Sequence, residues 1–259
     1  MTGALFHETS TLGEQGQRSP RRKAIVKNTA TEWFDGREME MVHKMFRREF
    51  ALMPRLLRAT DGAERAKIIA DHFDTITATL HHHHHSEDVD LWPLVLQRAG
   101  AAAAAPVEAM EAQHAQLADT LRSLQSRVRE WSVTPTADVA ETLAKDTHHL
   151  VRLLNEHLDT EERQVVPLME RHITAVEVQE VVAKGGAIGA TGDTEALPLA
   201  FGMMLYEADP EIVDRAVASV PSDVRPLIRN LAEEAFAAHS RAIHGTPTPP
   251  RSTEISSDV

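Results

Sequence analysis

His83-His84-His85-Ser86-Glu87-Asp88-Val89-Asp90-Leu91-Trp92-Pro93-Leu94 and His157-Leu158-Asp159-Thr160-Glu161-Glu162-Arg163-Gln164-Val165-Val166-Pro167-Leu168 are two copies of one pattern, 74 residues apart. Each holds a His, a Glu four residues later, a second acidic residue, two further residues, two apolar residues and a Pro. The i, i+4 spacing sets imidazole and carboxylate one turn apart on the same face of a helix. His43 and His114 stand 71 residues apart, close to the same period. The chain therefore reads as two copies of a helix pair, each giving one His and then one His-x-x-x-Glu.

Working outward, apolar residues recur at steps of three and four on four segments. The first starts at Arg37, carries His43, Phe46, Phe50, Met53 and Leu57, and ends at Asp61-Gly62. Pro54 is placed to bend it. The second runs from Ala63 to about Arg98 through Ile69, Phe73, Ile76, Leu80, His83, Glu87, Leu91 and Leu94, with one step off phase, and Gly100 stops it. The third is expected from Pro106, a good first-turn residue, to about Trp131, with His114 on its stripe. The fourth is expected from Thr136 to His172, with His157 and Glu161 on its stripe. The predicted fold is all-α: an up-down-up-down four-helix bundle over residues 37–173, with a small C-terminal helical extension over 174–247. In that extension a helix is expected to end at Gly185-Gly186, Asp209-Pro210 to open another, and Ser222 to cap a last one that Gly245 ends. Residues 1–36, with the basic patch Arg18, Arg21, Arg22 and Lys23, read as a disordered arm with a short helical turn near Ile25. Residues 248–259 read as a disordered tail.

Composition narrows the function. The 259 residues contain no Cys, which excludes disulfides, iron–sulfur clusters and thiolate metal sites. A net charge of -12 argues against nucleic acid and anionic membranes as partners. Residues 1–20 lack an apolar signal region and no run is long enough to span a bilayer, so a soluble cytoplasmic protein is expected.

Two Glu on apolar stripes are costly unless paired or coordinated. His on all four stripes offers the partners. The set points to a dinuclear metal centre held by His43, His83, Glu87, His114, His157 and Glu161. Nitrogen and oxygen donors without thiolate suit two iron ions, with manganese or zinc second. Periodicity alone does not separate His83/Glu87 from His84/Asp88; the repeat favours the former. Most of the His81–His85 run must point elsewhere. Glu162, five residues after His157, is an alternative ligand to Glu161 or a supporting residue. His149, two turns before His157, is read as a surface or supporting residue, or an extra ligand. His72, His148 and His172 are read as ordinary.

These paired motifs resemble the hemerythrin family, in its bacterial HHE cation-binding branch, over about residues 37–173. The resemblance implies a four-helix bundle around an oxo- or hydroxo-bridged di-iron centre that binds dioxygen, with Glu87 and Glu161 bridging. It also implies where this chain departs. The invertebrate oxygen carriers have His-x-x-x-His on the third helix, and here Ala118 stands four residues after His114. One coordination position is thereby left for His149, a histidine of the run, or water, which favours reactivity or ligand exchange over guarded carriage. The expected function is handling of dioxygen, nitric oxide or peroxide in sensing, storage or detoxification. A di-iron oxidase or oxygenase acting on an organic substrate is the second reading, and an iron-responsive protein with a partner or homo-oligomer surface is the third.

Overall fold

The computed structural model describes residues 32–185, 197–220, 222 and 224–255. Residues 1–31 of the arm expected over 1–36, Gly186 at the expected helix end, and residues 256–259 of the expected tail lie outside the described residues. The described chain is all-α, with one isolated antiparallel bridge between Trp33 and Thr174. The helices are α1 (Arg37–Arg58), α2 (Ala63–Ser86), a π-helical turn (Glu87–Leu91), α3 (Trp92–Ala99), α4 (Ala101–Val133), α5 (Ala137–Gln164), α6 (Val166–His172), α7 (Ala175–Gly185), α8 (Leu197–Leu205), α9 (Pro210–Ser219) and α10 (Arg225–His244), before a 3-10 turn at Ser252–Glu254. None of the described helices is long and apolar enough to cross a membrane.

Three helix boundaries differ from the sequence expectation. The second helix is not continuous. It opens into the π-turn and resumes as α3, with Pro93 in the first turn. A π-turn holds one residue more than an α-turn, so the buried stripe rotates. Leu91, Trp92 and Val95 are therefore buried, and Leu94 is not fully so. The off-phase step in the sequence marks this widened turn. The fourth helix likewise breaks, at Val165, where Pro167 lacks the N–H that would bond Arg163. Both breaks follow the His-x-x-x-Glu motifs, so the repeat extends to the backbone. Third, α4 begins at Ala101 and not at Pro106. The run Ala101–Ala105 has the highest helix propensity available, and Ala103 is buried. Gly100, at φ 56, makes the sharp turn from α3 into α4.

The long helices touch in a ring: α1 with α5 and α2, and α4 with α2 and α5. Two apolar clusters fill it. One contains Phe46, Phe50, Phe73, Leu80, Leu117 and Leu154. The other, under the π-turn, contains Met39, Leu91, Trp92, Met110, Val165 and Met169. Each long helix changes cluster at its polar motif. His43 lies between Met39 and Phe46, residues 83–87 between Leu80 and Leu91, His114 between Met110 and Leu117, and His157 between Leu154 and Val165. The polar site is thus sealed from above and below by hydrocarbon.

The C-terminal helices pack on the bundle: α8 on α10 and α1, and α10 on α2. The fully buried Arg48 of α1 anchors them. It donates to Glu49 Oε1 at 2.8 and 2.6 Å, to Glu207 Oε1 at 2.7 Å and to the Met203 carbonyl at 2.9 Å. Its guanidinium also lies 5.2 Å from the ring centres of Tyr206 and Phe236. Arg65 of α2 donates to the carbonyls of Ala242 and Ile243, satisfying the open end of α10. Asp209 caps α9 through Glu211 N–H, as the sequence suggested. The cap position of α10 is taken by Val224 rather than Ser222, with Pro226 in its first turn.

Two stretches expected to lack structure make defined contacts. Phe34 is buried, its N–H donates to the Ile173 carbonyl at 3.0 Å, and Ala175 N–H donates to Glu32 at 2.9 Å. In the tail, Tyr206 O–H donates to the Pro249 carbonyl at 2.9 Å, and Glu207 Oε2 accepts from Ser252 N–H and O–H at 2.8 and 2.6 Å. Apolar anchors and a free glutamate oxygen recruit segments whose own composition is polar.

Gly202 permits the close approach of α8 to α10. A Cβ placed there would stand 2.2 Å from the Ala232 carbonyl oxygen. Gly202→Ala is expected to destabilise this contact by about 1–3 kcal/mol, read as faster amide exchange across α8 and α10 with α1–α5 unchanged. Unaltered exchange in α10 would contradict the packing.

Candidate metal centre

The six residues singled out by the repeat meet in one place, and His84 joins them. His43, His83, Glu87 and Glu161 form one group of potential metal donors, with donor atoms within 4.8 Å of one another. His84, His114 and His157 form a second group on the same criterion. The two groups are continuous, because the carboxylates span them. Glu161 Oε2 lies 3.4 Å from His43 Nε2 and 3.7 Å from His157 Nε2. Glu87 reaches His83 Nε2 at 3.1 Å with one oxygen and His114 Nε2 at 3.6 Å with the other. The rings of His84 and His114 stack 4.0 Å apart.

The orientation of the imidazoles is set from outside the cluster. His43 Nδ1 is held at 2.8 Å by Glu162, and His114 Nδ1 at 2.7 Å by Asp88. These are the acidic residues that follow Glu161 and Glu87 in the repeat. Each one reaches across to the lone His of the other copy, so the two halves are related by an approximate twofold exchange. His157 Nδ1 is held by Gln113 Oε1 at 3.2 Å. With Nδ1 engaged as a donor, Nε2 is left as a bare lone pair aimed inward. All five Nε2 atoms, together with both oxygens of Glu87 and both of Glu161, are buried without a hydrogen-bond partner among the described residues. The exchange is incomplete: the counterpart of His84 in the second copy is Leu158, which is fully buried in the first apolar cluster, and the position 71 residues before Gln113 is Val42.

The electrostatics follow from burial. Burial, then the charge of neighbouring Glu161, pushes the Glu87 carboxyl well above its usual range. Burial lowers the His83 imidazole to about 3, aided by repulsion from His43, and lowers His157 to about 3. Burial, followed by repulsion from His114 and His157, takes His84 well below 6.5. Burial opposes protonation of His43 as well, but Glu161 and Glu162 outweigh it and raise that imidazole. Most of the pocket is therefore an array of neutral nitrogen bases around two carboxyl groups.

Such an array fits a cation better than it fits itself. Donors about 2.0–2.2 Å from a shared ion stand roughly 3–3.6 Å from one another, which matches the separations above. Nitrogen and oxygen donors without sulfur suit iron, manganese or zinc. Other histidines are excluded by position. His149 is exposed and its Nδ1 accepts from Arg152 at 3.0 Å. His81 and His85 are exposed. The sequence named His84 and Asp88 as alternatives to His83 and Glu87 or as supporting residues; both pairs enter the pocket, with Asp88 holding His114. Gln113 was not singled out, although a polar residue beside a stripe His carries the signal.

In the metal-free protein, His83, His84 and His157 stay neutral in the folded state while their unfolded counterparts titrate near 6.5. The unfolded chain then binds more protons, so stability falls as pH drops from about 6.5 toward 5. His43 and Glu87, both raised in the fold, hold protons there more tightly than in the unfolded chain and offset part of this, but the three lowered imidazoles outnumber them. A chelator-stripped sample is expected to show a lower urea midpoint at pH 5 than at pH 7, on the order of 1 kcal/mol per group per pH unit. An equal or higher midpoint at pH 5 would contradict the buried neutral imidazoles.

Comparison with known proteins agrees with this geometry. The family model described as the hemerythrin HHE cation binding domain matches residues 36–169, just over half of the chain. No curated protein and no solved structure matches the chain. A metal-binding fold of four facing His stripes and two carboxylates, matched over that span, makes the chain a member of the hemerythrin HHE cation-binding family.

Proposed function

We propose that the chain holds two iron ions between Glu87, Glu161 and the five inward imidazoles, and that the centre handles dioxygen, nitric oxide or peroxide. The observation that carries this reading is the set of nine buried donor atoms with no partner among the described residues. His43 and His83 would serve one ion, and His84, His114 and His157 the other, with Glu87 and Glu161 reaching both. Asp88, Glu162 and Gln113 fix the rings, and orienting partners of this kind are worth about 10–100-fold in metal affinity. A di-iron pair supplies reversible one-electron chemistry and a position where a small molecule binds. His84 takes the place left by Ala118, so this centre is rich in imidazole.

The described surface offers a narrow approach. A notch of about 60 Å³ is lined by Gln113, Gln116, Leu117, Leu153 and Glu156. Gln113 lines it and also holds His157. Organic-substrate oxidation by the same centre is the second reading. The short links between α1 and α2 and between α4 and α5 support the up-down-up-down order. Residues 37–173 are read as the metal-binding unit and 174–247 as its extension, in a cytoplasmic protein.

The test is elemental analysis of anaerobically prepared protein, then an absorption spectrum before and after oxygen. About two irons per chain and new near-ultraviolet charge-transfer bands are expected. His157→Ala or Glu161→Ala should lose most of the iron, Asp88→Asn and Glu162→Gln should bind it about 10–100-fold more weakly, and His85→Ala should keep it. Equal iron in all these variants, or none in the wild type after reconstitution, would overturn the assignment.

A further inference from the structure

A second polar cluster lies outside this pocket, where α10 meets α1 and α2. Glu49 of α1, His72 of α2 and His244, the last residue of α10, come together with donor atoms within 4.8 Å of one another. Their side chains are about 1% exposed or less. His72 was read from the sequence as ordinary, and nothing in its local pattern marks it. His72 precedes His83 by eleven residues, about 16 Å along the helix, so the two clusters do not share an ion.

We propose that Glu49, His72 and His244 form a mononuclear site for a transition cation, zinc above all, that fastens α10 to the bundle. Glu49 Oε2 lies 3.4 Å from His72 Nε2 and 3.8 Å from His244 Nε2. Both Glu49 Oε2 and His72 Nε2 are buried with no hydrogen-bond partner among the described residues, as is His244 Nδ1. Around a tetrahedral zinc ion, donors at about 2.0–2.2 Å stand roughly 3.3–3.6 Å apart, close to these separations. Two imidazoles and one carboxylate are a donor set that zinc accepts, with a fourth position for water.

The surroundings orient Glu49 and His72. Arg48 occupies Glu49 Oε1 and so turns Oε2 toward the histidines. The Arg48 charge is balanced in turn by Glu207. His72 Nδ1 faces His239 Nε2 at 3.1 Å. With His72 Nδ1 as the donor in that bond, His239 Nε2 accepts. That leaves His72 Nε2 as a lone pair facing a carboxylate oxygen, an arrangement that a cation relieves. The C-terminal end of α10 is also the negative end of its dipole, which favours a cation there.

The experiment is zinc titration of the chelator-stripped full-length chain, with bound zinc counted after desalting. Wild type is expected to hold one equivalent more than His72→Gln or His244→Gln, while both variants load iron in the bundle as wild type does. A measurement without substitution at the cluster reads amide exchange over Arg225–His244. Added zinc should slow it at least ten-fold in wild type, and also in His157→Ala, where the bundle centre is disabled. Equal zinc counts in wild type and both variants, or exchange in α10 indifferent to zinc, would overturn the proposal and leave a shared proton as the link. A failed bundle centre with a zinc-dependent α10 would instead sink the di-iron reading alone.

Discussion

Two carboxylates are buried against each other in the middle of this bundle, and the rest of the structure is arranged around that fact. An isolated buried carboxylate costs several kcal/mol even after relaxation. Here Glu87 and Glu161 are fully enclosed, with apolar clusters on both sides along every long helix. Five imidazoles converge on them with free nitrogens, and none of these donor atoms finds a hydrogen-bond partner among the described residues. A protein folding for stability alone would not keep such a pocket. The arrangement makes sense when positive charge is added to it, which is what membership of a cation-binding family implies.

The support of the pocket is as ordered as the pocket. Asp88 and Glu162 follow the two buried Glu residues and each crosses to orient a His on the opposite helix pair. Arg47 in turn holds Glu162 and Asp159 at 2.7 and 2.8 Å. The internal repeat is therefore a repeat of roles as well as of residues. One of its departures, His84 against Leu158, brings an extra imidazole into one half of the cluster, so the two halves of the centre differ in their donors.

Much of this was legible in the residues themselves. The i, i+4 spacing, the 74-residue repeat and the four apolar stripes led to the helices and to six of the seven residues that meet, His84 being the seventh. What they did not convey has physical causes. A π-turn changes the angular step between residues, so the choice between His83 and His84 has no answer on an ideal helix, and both enter. The start of α4 was misjudged because Pro106 is a good first-turn residue, yet five alanines before it propagate helix at little cost. The docking of α8 and the segment after it depends on Arg48, a charged residue whose partners Met203 and Glu207 lie more than 150 positions away. Local periodicity carries no trace of such partners, and so His72 reads as ordinary and His244 goes unremarked until the fold brings them together.

The account turns on whether two ions sit side by side between Glu87 and Glu161. X-ray absorption at the iron edge of the loaded protein measures this directly. A metal–metal vector at about 3.5 Å, with a first shell of nitrogen and oxygen dominated by imidazole, is the predicted result. An iron environment with no metal neighbour within about 4 Å, or a shell without imidazole scattering, would contradict the dinuclear centre.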